Sequence, residues 1–206
     1  YPAATEDVIA GYRELHKTYK PENIGIYGCS AGATLTAEVT ITTILRKLPR
    51  PGAIAMICGT GEIWAKGDAA YSCGYLNGIS PASVEQDPKD FDYFDGADLD
   101  DPGVFPMRLS KYLPTLPPSL LISGTRSFDM STVSDAHNKL VAAGTRSEMS
   151  IWDGVMHYFV KDPTLPESRE AYGVIARFFA RNLGQPYSSE LYAFLAEDLA
   201  RPPEPC

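Results

Sequence analysis

Four short apolar runs punctuate the chain, at residues 23–27 (NIGIY), 53–58 (AIAMIC), 119–123 (SLLIS) and 148–152 (EMSIW). They are too short for core helices and lack the alternation of a strand with one wet face, so they read as strands buried on both sides. The first two have a glycine just beyond the run. Stretches with helical spacing lie at 5–19, 31–48, 131–143 and 167–183. Strand and helix alternate, which predicts an α/β fold with a mostly parallel sheet covered by helices on both faces. Residues 59–118 break the rhythm. They are rich in Gly, Pro, Asp and Tyr and show no period, so they read as one long connection with short helical pieces.

A domain over residues 1–183 and an extension over 184–206 follow from this pattern. The extension has one amphipathic stretch, 188–199, and then RPPEPC, expected to be extended or disordered. Its helix would dock on the domain or on a second protomer of a homodimer.

Chemistry enters at Gly28-Cys29-Ser30-Ala31-Gly32. This G-x-S-x-G pentapeptide sits between an expected strand and an expected helix, the setting in which a serine hydroxyl projects above the sheet as a nucleophile. The two glycines would allow the sharp turn. The N–H of Ala31, at the helix N-terminus, would help hold an oxyanion. The plainer alternative is a glycine-rich turn with Ser30 as an N-cap.

Three histidines are candidates for the base. His16 and His137 stand within helical stretches and read as solvated surface residues. His157 follows the last strand and the loop 153–156, at the carboxyl end of the sheet where open α/β folds bind ligands. Its place after Ser30 suits a Ser, acid, His order. The acid should follow the strand 119–123, where Asp129 is the sole carboxylate before the next helix; Asp135 lies further on. A competing role for Asp129 is to cap that helix.

In order, these residues resemble the bacterial hormone-sensitive-lipase-like family of α/β-hydrolases, the family IV esterases and lipases. The resemblance covers Tyr1 to about Leu183. It rests on Tyr1-Pro2-Ala3-Ala4 with Asp7, the elbow Gly28 to Gly32, Pro117-Pro118, and Trp152-Asp153-Gly154 before His157-Tyr158-Phe159. It implies hydrolysis of short to medium acyl esters, without a cofactor, through Ser30, His157 and an acid. Many members carry that acid where Ser127 stands; others carry it two residues later, at Asp129. The family also has an upstream His-Gly-Gly motif, giving further oxyanion N–H groups, and an N-terminal cap. This chain therefore looks like the C-terminal part of such an enzyme, with N-terminal strands and cap missing. Expressed alone it is expected to fold poorly and to be inactive.

Charge and cysteine content narrow the alternatives. A formal net charge of -8, with no Lys/Arg-rich run, argues against nucleic acid. No apolar stretch is long enough for a membrane span. The four cysteines, Cys29, Cys58, Cys73 and Cys206, lack metal-site spacing and are too few for a disulfide framework, so no metal is expected. Cys29 and Cys58 read as buried small hydrophobes, and nothing in the sequence supports a Cys58 to Cys73 bridge. A cytoplasmic location is preferred. Glu62, Trp64, Tyr71 and Phe105 are candidate pocket-wall residues, or simply pack the long connection down. Two other functions compete: a peptidase or amidase with the same triad, and a non-catalytic small-molecule receptor on a hydrolase scaffold.

Overall fold

A computed structural model describes residues 1–62, 66–80, 91–108 and 110–187. Strands β1 (Gly25–Cys29), β2 (Ala53–Ile57), β3 (Ser119–Gly124) and β4 (Ser147–Trp152) form one sheet in the order β1-β2-β3-β4. Every pairing is parallel. The helices are α1 (Ala3–Leu15), α2 (Ala31–Leu45), α3 (Gly67–Cys73), α4 (Met130–Ala142) and α5 (Pro166–Asn182).

The apolar runs are continuous because β2 and β3 are buried along their whole length. Successive side chains on β2 point to opposite faces. Ile54 and Met56 join Leu121 in a core with Ala33, Ala37 and Ile41 of α2 and Val133, Ala136 and Leu140 of α4. Ala53, Ala55 and Ile57 join Leu120 and Ile122 in a second core with Ala171, Ile175 and Phe178 of α5. Burying each large aliphatic side chain contributes about 1.5 to 3 kcal/mol. α1 lies on α2 and buries Thr5, Ile9 and Tyr12, a spacing of four and three residues that keeps one face inward.

The element boundaries differ from the sequence reading for local reasons. Residues Pro21–Asn23 form a 3-10 turn, so β1 starts at Gly25. β1 then runs through Gly28, which pairs with Met56, and Cys29, which pairs with Ile57. α2 stops at Leu45, two residues before Lys47 takes a left-handed φ of 54°. α5 stops at Asn182, just before Gly184 with φ 63°. The long connection contains α3 and 3-10 turns at Gly74–Asn77, Asp92–Phe94, Pro106–Arg108 and Ser110–Thr115. The expected tail helix at 188–199, Trp64 and Cys206 lie outside the described residues. Among the described residues no helix is long and apolar enough to cross a membrane.

Candidate active site

Ser30 is the residue between the end of β1 and the first turn of α2, with φ 56° and ψ -121°. Such a backbone conformation is strained for a side-chain-bearing residue. Three backbone contacts hold it: Ser30 N–H donates to Ile57 O at 2.8 Å, and Ser30 O accepts from Ala33 N–H at 2.9 Å and from Thr34 N–H at 3.3 Å. The glycines on either side do different work from the turn-making expected of both. A Cβ at Gly28 would stand 2.2 Å from Gly32 O, so Gly28 permits close approach of strand and helix. A Cβ at Gly32 would meet nothing within 4 Å. Ser30 makes no side-chain cap to α2; its hydroxyl points elsewhere.

The loops after β3 and β4 are laced together. Thr125 N–H donates to Trp152 O at 2.9 Å and Arg126 N–H to Val155 O at 3.1 Å. Thr125 Oγ1 donates to Asp153 Oδ1 at 2.9 Å and accepts from Gly154 N–H at 2.8 Å. A Cβ at Gly124 would stand 2.4 Å from Val155 O, so only glycine allows the loops this close. Asn77 adds a brace: its Oδ1 accepts from His157 N–H at 3.1 Å, while its Nδ2 donates to Arg126 O at 3.2 Å.

This lacing brings Ser30, His157 and Asp129 into one hydrogen-bonded line. His157 Nε2 stands 2.9 Å from Ser30 Oγ, and His157 Nδ1 stands 2.5 Å from Asp129 Oδ2. With the imidazole proton on Nδ1, donated to the carboxylate, Nε2 can accept the serine hydroxyl proton. The Asp129 side chain is buried and does not cap α4. Ser123 Oγ donates to its Oδ1 at 2.5 Å, and Ser127 Oγ donates to Oδ2. A buried carboxylate is tolerable only with such partners. Ser127 itself stands 3.5 Å from His157 Nδ1, at the edge of hydrogen-bond reach. Asp135 is engaged elsewhere, with Lys66 Nζ at 2.8 Å and Lys139 Nζ at 2.9 Å. Burial pushes its carboxyl up, but these two cations outweigh that and hold it below the usual range.

Ser30, Ala31 and His157 open onto a cavity of ≈ 490 Å³. As the first residue of α2, Ala31 has an N–H without an intrahelical acceptor. The walls are largely aromatic, with Phe91, Tyr93, Phe94, Phe105 and Phe128. Of the four wall candidates, Glu62 and Phe105 line the cavity, whereas Tyr71 is exposed on the surface away from it. Glu62 is tied to Lys139 Nζ at 2.8 Å and Lys66 Nζ at 3.4 Å.

Glu38 also lines the cavity, and its carboxyl accepts from Thr5 Oγ1 at 2.8 Å. Burial lifts this carboxyl from 4.5 to about 7, against the opposing pull of the Thr5 bond. A nearby ionisable group, the Tyr1 phenol, is raised to about 12 by burial, with Asp101, Glu38 and Tyr93 adding to the rise. Between pH 4.5 and about 7 the folded protein holds a proton on Glu38 that the unfolded chain has released. Stability from this group is therefore full below that window and is lost as pH rises through it, by about 3 kcal/mol in all. The melting temperature should fall roughly 5 to 10 °C between about pH 5 and about pH 7.5, and Glu38→Gln should remove that fall. Equal pH slopes for the two proteins in thermal melts would rule the effect out.

The family described as alpha/beta hydrolase fold matches residues 1–161. The chain belongs to that family. Among solved structures, this chain is 27% identical to an esterase/lipase from an uncultured bacterium, with a TM-score of 0.76. That alignment covers 89% of this chain and 61% of the other. EstE5, soaked with ethyl alcohol, gives 27% identity and a TM-score of 0.78 over 89% of this chain and 62% of its own. An esterase of the bacterial hormone-sensitive lipase family shares the fold at 24% identity, with a TM-score of 0.78. The chain thus spans 61% or 62% of the length of these structures. Over a shorter stretch of 57 residues it is 46% identical to kynurenine formamidase of Meyerozyma guilliermondii, covering 27% of this chain and 22% of that protein.

Other parts of the chain depart from the sequence reading. His137 is half-buried rather than solvated, because α4 turns its Nδ1 toward Ser147 Oγ of β4 at 2.9 Å. His16 is likewise half-buried: its ring packs edge-on against Tyr12 at 4.3 Å, and its Nε2 is buried with no partner among the described residues. Cys29, Cys58 and Cys73 are free thiols, and Cys58 is buried as expected. Cys58, Asp129 and His157 offer sulfur, oxygen and nitrogen within 4.8 Å of one another, a metal-like grouping. Its chemistry runs against a metal: a hydrogen bond with Cys29 and then burial push the Cys58 thiol far up, while Asp129 and His157 hydrogen-bond each other. Three polar partners in the site escaped the sequence reading: Ser123, Asn77 and Glu38.

Proposed function

We propose that the protein is a serine carboxylic-ester hydrolase acting on short to medium acyl esters. The observation that carries this reading is the line Ser30, His157, Asp129 at the mouth of an aromatic-walled cavity. In the proposed cycle Ser30 Oγ attacks the ester carbonyl while its proton passes to His157 Nε2. The Ala31 N–H helps hold the oxyanion. The tetrahedral intermediate collapses, the C–O bond to the alcohol breaks, and the imidazolium returns its proton to the departing alcohol. Water then attacks the acyl-enzyme by the same route, releasing the acid and restoring Ser30. Asp129 holds the Nδ1–H tautomer and stabilises the imidazolium, and its hydrogen bonds from Ser123 and Ser127 fix its orientation. The esterases among the similar structures support the substrate class.

Covalent labelling tests the nucleophile. Phenylmethanesulfonyl fluoride or an organophosphate should modify Ser30 one-to-one and abolish ester turnover, with the adduct found by peptide mass mapping. Modification elsewhere, or turnover that survives full labelling, overturns the assignment.

A second reading, hydrolysis of an amide such as a formamide, is favoured by the match to the yeast kynurenine formamidase. Turnover of an ester and its matched anilide decides between them.

A further inference from the structure

α2 carries one charged residue, Glu38, in a helix otherwise made of Ala, Gly, Thr, Leu, Val and Ile. Nothing in the proposed acyl transfer uses it. Ala31, Thr34, Leu35 and Glu38 all line the cavity, at the three- and four-residue spacing that marks one helical face. A carboxyl is costly in such an apolar setting, and a Leu would carry the same helix without that cost. Glu38 is 1% exposed and is bonded, among the described residues, to Thr5 Oγ1. It differs in this from Glu62, which two lysines neutralise.

The surroundings suit a cation. Tyr93, Phe94 and Phe105 pack ring against ring, with centroids 5.0 Å apart for Tyr93 and Phe94 and 5.0 Å apart for Phe94 and Phe105. Tyr1 joins them, 6.3 Å from Tyr93 and 6.5 Å from Phe94. Aromatic faces beside a carboxylate form the kind of enclosure that binds ammonium groups. The Tyr93 hydroxyl is buried and has no hydrogen-bond partner among the described residues, which leaves it available to a polar ligand. Lys139 and Lys66 are engaged by Glu62 and Asp135, and Arg108 lies over the Phe105 ring at 6.0 Å; Arg46 pairs with Glu6, and the Tyr1 ammonium, held by Tyr93 O, is the cation that acts on Glu38.

We propose that Glu38 is the specificity-determining residue of this pocket and that the preferred substrates carry an ammonium group on the acyl part. The inference rests on the ester-hydrolase reading for the reaction and on the cavity for the selectivity. The helix sets the scale of the length. Glu38 lies about two turns into α2 from its start beside Ser30. A substrate with about four single bonds between the carbonyl carbon and the nitrogen spans ~5 Å and is short enough to lie between them.

The test uses two p-nitrophenyl esters of equal shape, 4-(trimethylammonio)butanoate and its carbon isostere 5,5-dimethylhexanoate, assayed above the Glu38 value of about 7 so that its carboxyl is ionised. The ratio of their kcat/KM values is independent of the folded fraction, so a partly unfolded variant still reports. The parent protein should prefer the cation at least ~10-fold, and Glu38→Gln should lower the ratio by ~10-fold or more. Preference for the neutral ester in the parent, or a ratio unchanged by Glu38→Gln, overturns the proposal. If neither ester turns over and Ser30 resists labelling, the ester-hydrolase reading fails separately. Calorimetry with butyltrimethylammonium then judges Glu38 alone: saturable binding that Glu38→Gln abolishes supports the site, and absence of binding overturns it.

Discussion

Replacing Ser30 by alanine should lower kcat for an activated ester by about a million-fold. The basis is the 2.9 Å contact between Ser30 Oγ and His157 Nε2, since with the oxygen gone the imidazole has no nucleophile to activate. Alanine keeps the same Cβ, so the strained backbone at φ 56° is neither relieved nor worsened, and the thermal melt should hold. What survives is substrate binding and whatever oxyanion stabilisation the Ala31 N–H provides, worth ~1,000- to 10,000-fold over water. Steady-state kinetics on a preparation free of the parent enzyme measures this. A kcat within tenfold of the parent would mean that another group attacks the ester.

Asp129→Asn should follow with a loss of about 10,000-fold in kcat. The carboxylate accepts from His157 Nδ1 at 2.5 Å, which places the imidazole proton on that nitrogen and leaves Nε2 as the acceptor. An amide there can turn its NH2 toward Nδ1, moving the proton to Nε2, where it blocks transfer from Ser30. The same amide also faces two hydroxyls, Ser123 and Ser127, that now donate to both carboxylate oxygens. Ser127→Asp gives the companion measurement. Residue 127 is fully buried against Asp129, so a second carboxylate would meet like charge at close range and should lower activity rather than raise it. Higher activity in Ser127→Asp with little change in Asp129→Asn would move the acid to position 127.

Much of the site could be read from the residue order because its main members sit at strand ends. Ser30, Asp129 and His157 each follow an apolar run, and a parallel sheet gathers the carboxyl ends of its strands on one edge. Their approximate meeting point therefore follows from pattern alone. The partners that fix their geometry do not follow so simply. Ser123 reaches Asp129 only because the pleat of β3 turns its hydroxyl to that side, and Asn77 reaches His157 from a connection that carries no period. Glu38 left a trace that could have been used: it is the lone charge within an otherwise uncharged helix, on the face that starts at Ala31. The glycines of the elbow show how a motif can be right for an unexpected reason. Strain resides at Ser30, while Gly28 serves contact between backbones. His16 and His137 are half-buried, which their residue type does not indicate because it says little about which helix face is inward.

Apart from Phe128, which stands beside Asp129, the aromatic wall and the Ser30–His157–Asp129 line are built from different parts of the chain. Ser30, Asp129 and His157 hang from strands locked into a parallel ladder, whereas Phe91, Tyr93, Phe94 and Phe105 belong to the long connection between β2 and β3. Substitutions and length changes in a connection of this kind leave a ladder's hydrogen bonds in place. Rewriting residues 91–105 would therefore reshape the cavity wall while leaving the Ser30–His157–Asp129 line in place. Thr34, Leu35 and Glu38 line the cavity from the helix that follows Ser30, so an exchange of loops leaves that side of the cavity as it is.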